Sequence, residues 1–268
     1  MSLFNFKHWH VSNSTDNPKL AQHFPSIEAV FDLNEKIISS SIHSEIFVHQ
    51  IDNKKYFVKR YFKSIGFASW FGLSRLQLEI KNQRWFNQIN LPSARVVAYG
   101  LDYFFLKPKR GVLITEGIDN VMDLAMLSKS HPEKFKNPHW CNHLVSQLAF
   151  VLRTLHKNRF CHNDMHWRNI LVQAGNSEND MHIYLIDCPS GRKLFWPFFG
   201  YKRLKDLANI DKLAPNYLSK TQRLRFFYEY RQISKLSHTD KAMIHDILRH
   251  KSHRLQRKAK ERLRGQLK

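Results

Sequence analysis

With 268 residues, 43% of them apolar, the chain can bury a sizeable core, as one bilobal unit or two small lobes. No apolar run approaches the ~20 residues a bilayer span needs, Met1 to His8 lacks the basic and apolar order of a signal peptide, and three cysteines suit free thiols better than a disulfide frame. These features exclude a membrane-embedded or disulfide-scaffolded class and lead to the expectation of a cytoplasmic protein, while the net charge of +21 asks for an anionic partner.

In chain order, Tyr56-Phe57-Val58-Lys59-Arg60-Tyr61 alternates apolar and basic residues as a strand does. From Arg75 a helical pattern carries Glu79 and continues through Trp85 and Phe86, with Leu91-Pro92 as its stop. Val96 to Tyr99 and Gly111 to Gly117 read as two further strands, the second leading into Thr115-Glu116-Gly117-Ile118. Leu144, Leu148, Val151, Leu152 and Leu155 recur at helical spacing. Short strands are expected at Ile170-Leu171-Val172 and Ile183 to Ile186, around a polar turn from Gly175 to Asp180. Another helix is expected from Arg203, and Met243, Ile244, Ile247 and Leu248 form a core-facing stripe near the end.

Chemistry concentrates between the long helix and the paired strands. His162-Asn163-Asp164 is followed by Asn169, five residues after the aspartate, and then by Asp187 at the end of an apolar run. That is the spacing of a kinase catalytic loop with its metal-binding aspartate, and the helix before it and the strand after it are the context the motif requires. A hydroxyl is a poor nucleophile, so Asp164 is expected to orient it and take its proton. Asn169 and Asp187 supply hard oxygen ligands suited to Mg2+ held mainly by nucleotide phosphates. His162 is expected to brace the loop, and Asp206 to do the same from the following helix. Upstream, Lys59 is placed to meet the α and β phosphates of ATP, with Glu79 as the counter-charge a buried lysine needs. Glu116 and Ile118 fall where the chain would pass between lobes and meet adenine. A zinc site from Cys161, His162, His166 and Cys188 is disfavoured, because paired ligand spacing is missing.

Taken together, Phe57 to Tyr61, Glu79, Leu91-Pro92-Ser93, His162-x-Asp164-x-x-x-x-Asn169, Leu185-Ile186-Asp187 and Lys205 to Ala208 resemble the bacterial lipopolysaccharide core kinases, over roughly residues 30 to 215. The resemblance implies a compact protein-kinase-like α+β fold, with a small β-rich N-lobe (1–117), a helical C-lobe (118–248) and a basic tail (249–268). It also implies ATP-dependent phosphorylation of Kdo or heptose in the inner core. Ser39 to Glu45 contains no glycine, unlike the glycine-rich loop that covers the phosphates in protein kinases. Asp187 is followed by Cys188-Pro189, which argues against a protein-kinase type of activation switch. His166 stands where protein kinases acting on serine often carry lysine, pointing to a sugar or small-molecule acceptor. Aminoglycoside, choline-type or protein kinases are the alternatives within enzymes.

Residues 219–268 hold 15 lysines and arginines against 4 acids, so 11 of the 21 excess charges fall in the last fifth. Such a tail suits nucleic acid, anionic lipid or the phosphate-rich inner core. Two aromatic segments, Phe67 to Phe71 and Phe195 to Phe199, tilt the expectation towards an anionic membrane surface and a lipid-anchored sugar, and away from nucleic acid. The protein is thus expected on the inner face of the inner membrane. The rival from another class is a catalytically silent nucleic-acid-binding protein, whose salt-dependent binding would survive loss of Asp164.

Overall fold

The computed structural model describes residues 5–12, 18–62, 75–104, 107–175 and 180–250. The expected aromatic segment at 67–71 and the basic tail beyond 250 lie outside them. Backbone contacts divide the chain into two compact units, one of residues 1–119 with 187–189, the other of 120–186 with 190–268.

The first unit is built on a six-stranded antiparallel sheet. Its strands are β1 (Asn5–Val11), β2 (Ile37–Ser40), β3 (Ser44–Ile51), β4 (Lys54–Tyr61), β5 (Val96–Phe104) and β6 (Lys107–Glu116), in the order β1-β5-β6-β4-β3-β2. Short helices α1 (Leu20–His23) and α2 (Ile27–Asp32) supply Leu20, Phe24, Ile27 and Val30 to a core with Phe47, Tyr56, Val58, Val112 and Ile114. A second cluster joins Tyr61, Tyr99, Leu101 and Leu113 to Leu76 and Ile80 of α3 (Arg75–Gln88). Side chains of a strand alternate between faces, so Tyr56 and Val58 join the first cluster while Tyr61 joins the second, and Lys59 points the same way as Tyr61. Arg60 turns the other way, donates to the carbonyls of Val30 and Leu33 at the end of α2, and lies over the Phe47 ring at 4.3 Å. Cationic groups at a helix C-terminus satisfy its orphan carbonyls.

The second unit is mainly helical. It contains β7 (Val121–Asp123), α4 (Leu124–Ser130), α5 (Pro138–Lys157), β8 (Phe160–Cys161), β9 (Ile170–Ala174), β10 (Met181–Leu185), β11 (Arg192–Lys193), α6 (Phe198–Asp211) and α7 (Lys220–Arg231). Helix α5 begins where Asn137 accepts from the amides of His139 and Trp140 and Pro138 occupies the first turn. It buries the expected Leu144, Leu148, Val151, Leu152 and Leu155. Ser219 and Gln222 form a capping box at the start of α7. Two small antiparallel sheets, β10-β9-β7 and β11-β8, flank the loop between β8 and β9. Helix α6 starts at Phe198, five residues before the Arg203 expected from sequence, because the end of the aromatic stretch, Phe198 and Phe199, forms its first turn. A last helix runs over 238–250, burying Met243 and Ile247 while Leu248 is exposed, so the expected core stripe is narrower than four residues. Among the described residues no helix is long and apolar enough to cross a membrane.

Candidate active site

In the first unit, charge gathers around Lys59. Its Nζ donates to both carboxylate oxygens of Glu79, at 2.9 and 3.0 Å, and to Asp187 Oδ1 at 2.9 Å. Strand alternation on β4 aims the lysine at α3, and Glu79 sits one turn into that helix. The side chains are 17% exposed for Lys59 and 6% for Glu79, so this is a buried pair. Removing one partner of such a pair leaves a charge in a poorly hydrated setting. Burial pulls the lysine pKa down, but Glu79 and Asp187 outweigh it and hold it above its ordinary value. Burial raises the Glu79 pKa, and the attraction of Lys59 opposes that only in part. The Tyr61 hydroxyl also donates to Glu79, and Lys59 Nζ lies 5.2 Å from the Tyr61 ring centroid. Burial and the Glu79 charge drive the Tyr61 pKa well up, so it stays a neutral donor.

Asp187 enters the first unit after the end of β10, in the left-handed region at φ 56°, with its side chain 42% exposed. Asn82 of α3 fixes the next residue by donating to the Cys188 carbonyl at 2.9 Å. On β6, Glu116 pairs with Lys54 at 3.1 Å and its amide donates to the Arg95 carbonyl at 2.8 Å. The Gly117 amide donates to the Lys55 carbonyl at 2.7 Å, and a Cβ there would lie 2.8 Å from that oxygen. Only glycine allows that approach. Ile118 follows, half-buried.

In the second unit, the loop after β8 carries Asp164. Asn169 Nδ2 donates to the Asp164 carbonyl at 2.8 Å and to its Oδ2 at 3.0 Å. Arg168 donates to Oδ2 at 3.2 Å, and His166 Nε2 lies 3.4 Å from Oδ1. Burial pushes the Asp164 pKa up, but the hydrogen bonds from Asn169 and Arg168 and the nearby His166 prevail and hold it below its ordinary value. Asp164 is therefore ionised at neutral pH, as an acceptor of a hydroxyl proton must be. The loop is pinned by buried Met165 and by Trp167, whose indole N–H donates to the Ile210 carbonyl at 2.9 Å. The Ile186 amide donates to the Asn169 carbonyl at 3.1 Å, tying the loop to the chain just before Asp187.

Asn169 commits its amide nitrogen to Asp164 and so turns its amide oxygen away, while Asp187 offers a carboxylate that meets solvent. Each of these oxygens is a hard donor of the kind Mg2+ prefers.

Asp206, fully buried on α6, accepts from the backbone amides of His162 at 2.7 Å and Asn163 at 2.9 Å. His162 is itself completely buried. Behind Asp206, His156 of α5 places Nε2 3.5 Å from Asp206 Oδ2 and Nδ1 2.8 Å from the Tyr230 hydroxyl of α7. A carboxylate can only accept, so Nε2 carries the proton and Nδ1 accepts from Tyr230. Burial lowers the His156 pKa against the pull of Asp206, which keeps the ring neutral. His156, Cys161 and Asp206 bring potential metal-ligating atoms within 4.8 Å of one another. Burial pushes the Cys161 thiol up to about 12 and both Asp206 oxygens accept from the loop amides, so the trio is poorly suited to hold a metal.

The structure thus brings Lys59, Glu79 and Asp187 together in one unit and His162, Asp164, Asn169 and Asp206 together in the other. Sequence reading missed Tyr61, Arg168, His156 and Tyr230. Tyr61 was two residues beyond Lys59 and so on its face, and Arg168 was four beyond Asp164, both readable signals. His156 and Tyr230 are 74 residues apart and had none.

Comparison with known proteins adds an independent line. Over 120 residues, or 44% of this chain and 47% of the relative, the sequence is 27% identical to the 3-deoxy-D-manno-octulosonic acid kinase of Actinobacillus succinogenes. It is 27% identical over 139 residues, 52% of this chain and 51% of the relative, to the enzyme of that name from Mannheimia succiniciproducens. The matched stretch therefore spans about half the length of these curated relatives. A solved structure described as WaaP in complex with acyl carrier protein superposes with a TM-score of 0.71, covering 92% of this chain and 98% of that one, at 19% identity. That likeness supports the α+β kinase-like fold. The lipopolysaccharide kinase (Kdo/WaaP) family model matches residues 32–230, a span that holds both charge clusters, and the chain belongs to that family.

Proposed function

We propose that the protein transfers the γ-phosphoryl group of ATP to a hydroxyl of a lipopolysaccharide inner-core sugar. The observation that carries this reading is Asp164, ionised and held by Asn169 and Arg168 in a loop pinned through backbone amides to Asp206. Unit 1 serves as the nucleotide-binding part, with Lys59 set by Glu79 to meet the α and β phosphates and the backbone around Glu116 and Ile118 to meet adenine. Unit 2 supplies the catalytic loop, braced by His162 and Asp206.

In the step itself, the acceptor hydroxyl gives its proton to Asp164 as its oxygen bonds to the γ-phosphorus. The bond from that phosphorus to the β–γ bridging oxygen breaks, and its electron pair leaves with ADP. Asn169 and Asp187 are the residues that would hold Mg2+, which when bound neutralises charge on the nucleotide phosphates. Lys59 exchanges part of its bonding to Asp187 for phosphate oxygens while Glu79 keeps it oriented.

Between the two sugars, Kdo is favoured over heptose. His166 and Arg168 crowd cationic or cation-capable groups beside Asp164, a setting that suits an acceptor bearing its own carboxylate. The acceptor is lipid-anchored, so the enzyme works on the cytoplasmic face of the inner membrane.

The test is transfer from labelled ATP with magnesium to dephosphorylated core bearing Kdo or only heptose, by wild type and Asp164→Ala. Transfer to the Kdo acceptor that vanishes in the variant supports the reading. Transfer that persists in Asp164→Ala, or wild type that binds ATP and phosphorylates neither acceptor, overturns it.

A further inference from the structure

Between the end of β10 and the middle of α6, the chain breaks the ordinary rule that large rings are buried. Phe195 is 76% exposed, Trp196 86%, Phe198 69% and Tyr201 59%. Contiguous exposed apolar residues of this size mark a surface that meets something. Phe198, Tyr201, Lys202 and Lys205 stand at i, i+3, i+4 and i+7 on α6, so two rings and two lysines share one outward side of the helix. Residues 188–205 contain five lysines and arginines and no acidic residue, and Arg192 and Lys193 of β11 are exposed ahead of the rings.

This surface is tied directly to the catalytic loop. β11 pairs with β8, Arg192 opposite Cys161 and Lys193 opposite Phe160, and β8 leads straight into His162. Asn163 Nδ2 donates to the Ser190 carbonyl at 2.8 Å, and the Leu194 amide donates to the Arg159 carbonyl at 2.9 Å. From the other side, α6 carries Asp206 to the amides of His162 and Asn163. Both ends of the aromatic segment are therefore hydrogen-bonded to the stretch that presents Asp164.

We propose that Phe195, Trp196, Phe198 and Tyr201, with their flanking lysines and arginines, are the face by which the protein seats on an anionic bilayer. The inference rests on the reading of the chain as a kinase of a lipid-anchored sugar, and assigns that reading its docking surface. Aromatic rings settle at the headgroup level while lysine and arginine meet lipid phosphate, and an acid-free segment adds no repulsion. Docking through these residues would hold the catalytic loop at the depth where a membrane-anchored sugar projects.

The experiment compares wild type with Phe195→Ser/Trp196→Ser/Phe198→Ser and with Lys193→Ala/Lys202→Ala. Flotation uses vesicles of phosphatidylethanolamine with and without phosphatidylglycerol, and phosphate transfer is measured on vesicle-borne and on deacylated, soluble core. Expected results are flotation of wild type only with phosphatidylglycerol, at least tenfold weaker binding by the aromatic variant, and about fivefold loss per lysine removed. Transfer to the soluble acceptor should be equal in all three proteins, and transfer to the vesicle-borne acceptor should fall with binding. Trp196→Phe should remove most of the fluorescence quenching that brominated lipid causes in wild type. Flotation unaffected by the substitutions overturns the proposal. So does a wild type that ignores vesicles but whose binding to an acidic carrier protein is lost in the aromatic variant. Vesicle binding with no transfer to either acceptor would instead sink the kinase reading and leave the docking surface standing.

Discussion

The charge cluster of the first unit and the Asp164 loop of the second use carboxylates in opposite ways. Around Lys59, Glu79 and Asp187 balance one buried ammonium through side-chain ion pairs drawn from α3 and from the segment after β10. Around Asp164, geometry is set by backbone, because Asp206 takes two main-chain amides and Asn169 bonds both the carbonyl and the carboxylate of Asp164. Ion pairs between flexible side chains can be re-made when phosphate arrives, whereas amides held by a buried carboxylate cannot move without losing their acceptor. One unit is built to exchange partners, the other to stay put.

The largest expected effect falls on the rigid side. Asp164→Ala should lower kcat by roughly 10²–10⁴-fold while leaving nucleotide affinity nearly unchanged. Steady-state kinetics with varied ATP checks this, and a KM effect larger than the kcat effect would erase the contrast between the units. Next, Asp206→Ala should destabilise the protein by about 2–4 kcal/mol, because two buried amides lose their acceptor and His156 loses its partner. A urea midpoint within error of wild type would show that the loop does not depend on Asp206.

On the exchangeable side the effects are smaller and of another kind. Glu79→Gln should raise the KM for ATP about tenfold, since Lys59 keeps Asp187 but loses its aim. Tyr61→Phe removes only one hydroxyl donor to Glu79 and should cost about 1 kcal/mol, a few-fold in the same KM. If Tyr61→Phe matched Glu79→Gln, the tyrosine would be a full partner in orienting the lysine.

The pH dependence sharpens the comparison further. The Asp164 pKa is depressed in the folded state, so its ionised form contributes stability above its unfolded pKa, lost as pH falls through the lower folded value. Asp164→Asn should therefore flatten the acid side of the stability curve below about pH 4 and leave its shape near neutrality unchanged. Chemical denaturation across pH measures it. An acid side as steep in Asp164→Asn as in wild type would show that this carboxylate does not contribute.

Much of this was legible in the chain. Asp164 and Asn169 lie five residues apart, so their hydrogen bond is a local matter that spacing reveals. Lys59 was readable because a strand alternates faces, and Glu79 because α3 follows and presents one residue per turn to the sheet. The start of α6 was not, since Phe195 to Phe199 reads as an interfacial docking segment rather than as the entry to a helix, and only the fold showed Phe195, Trp196 and Phe198 exposed and Phe199 half-buried at the start of α6. The narrowing of the last helix's core stripe had the same origin, as periodicity says which residues share a face but not how deeply that face is covered.

By itself the sequence determined the elements and the local motif, because helix and strand periods and short-range spacings are properties of neighbouring residues. Tertiary structure decided everything carried by distant partners. It alone set Tyr230 against His156 and His156 against Asp206, brought Asp187 to Lys59 across 128 positions, and left Trp196 in solvent. Burial and long-range pairing depend on how whole elements pack, and a chain read one window at a time does not contain that sum.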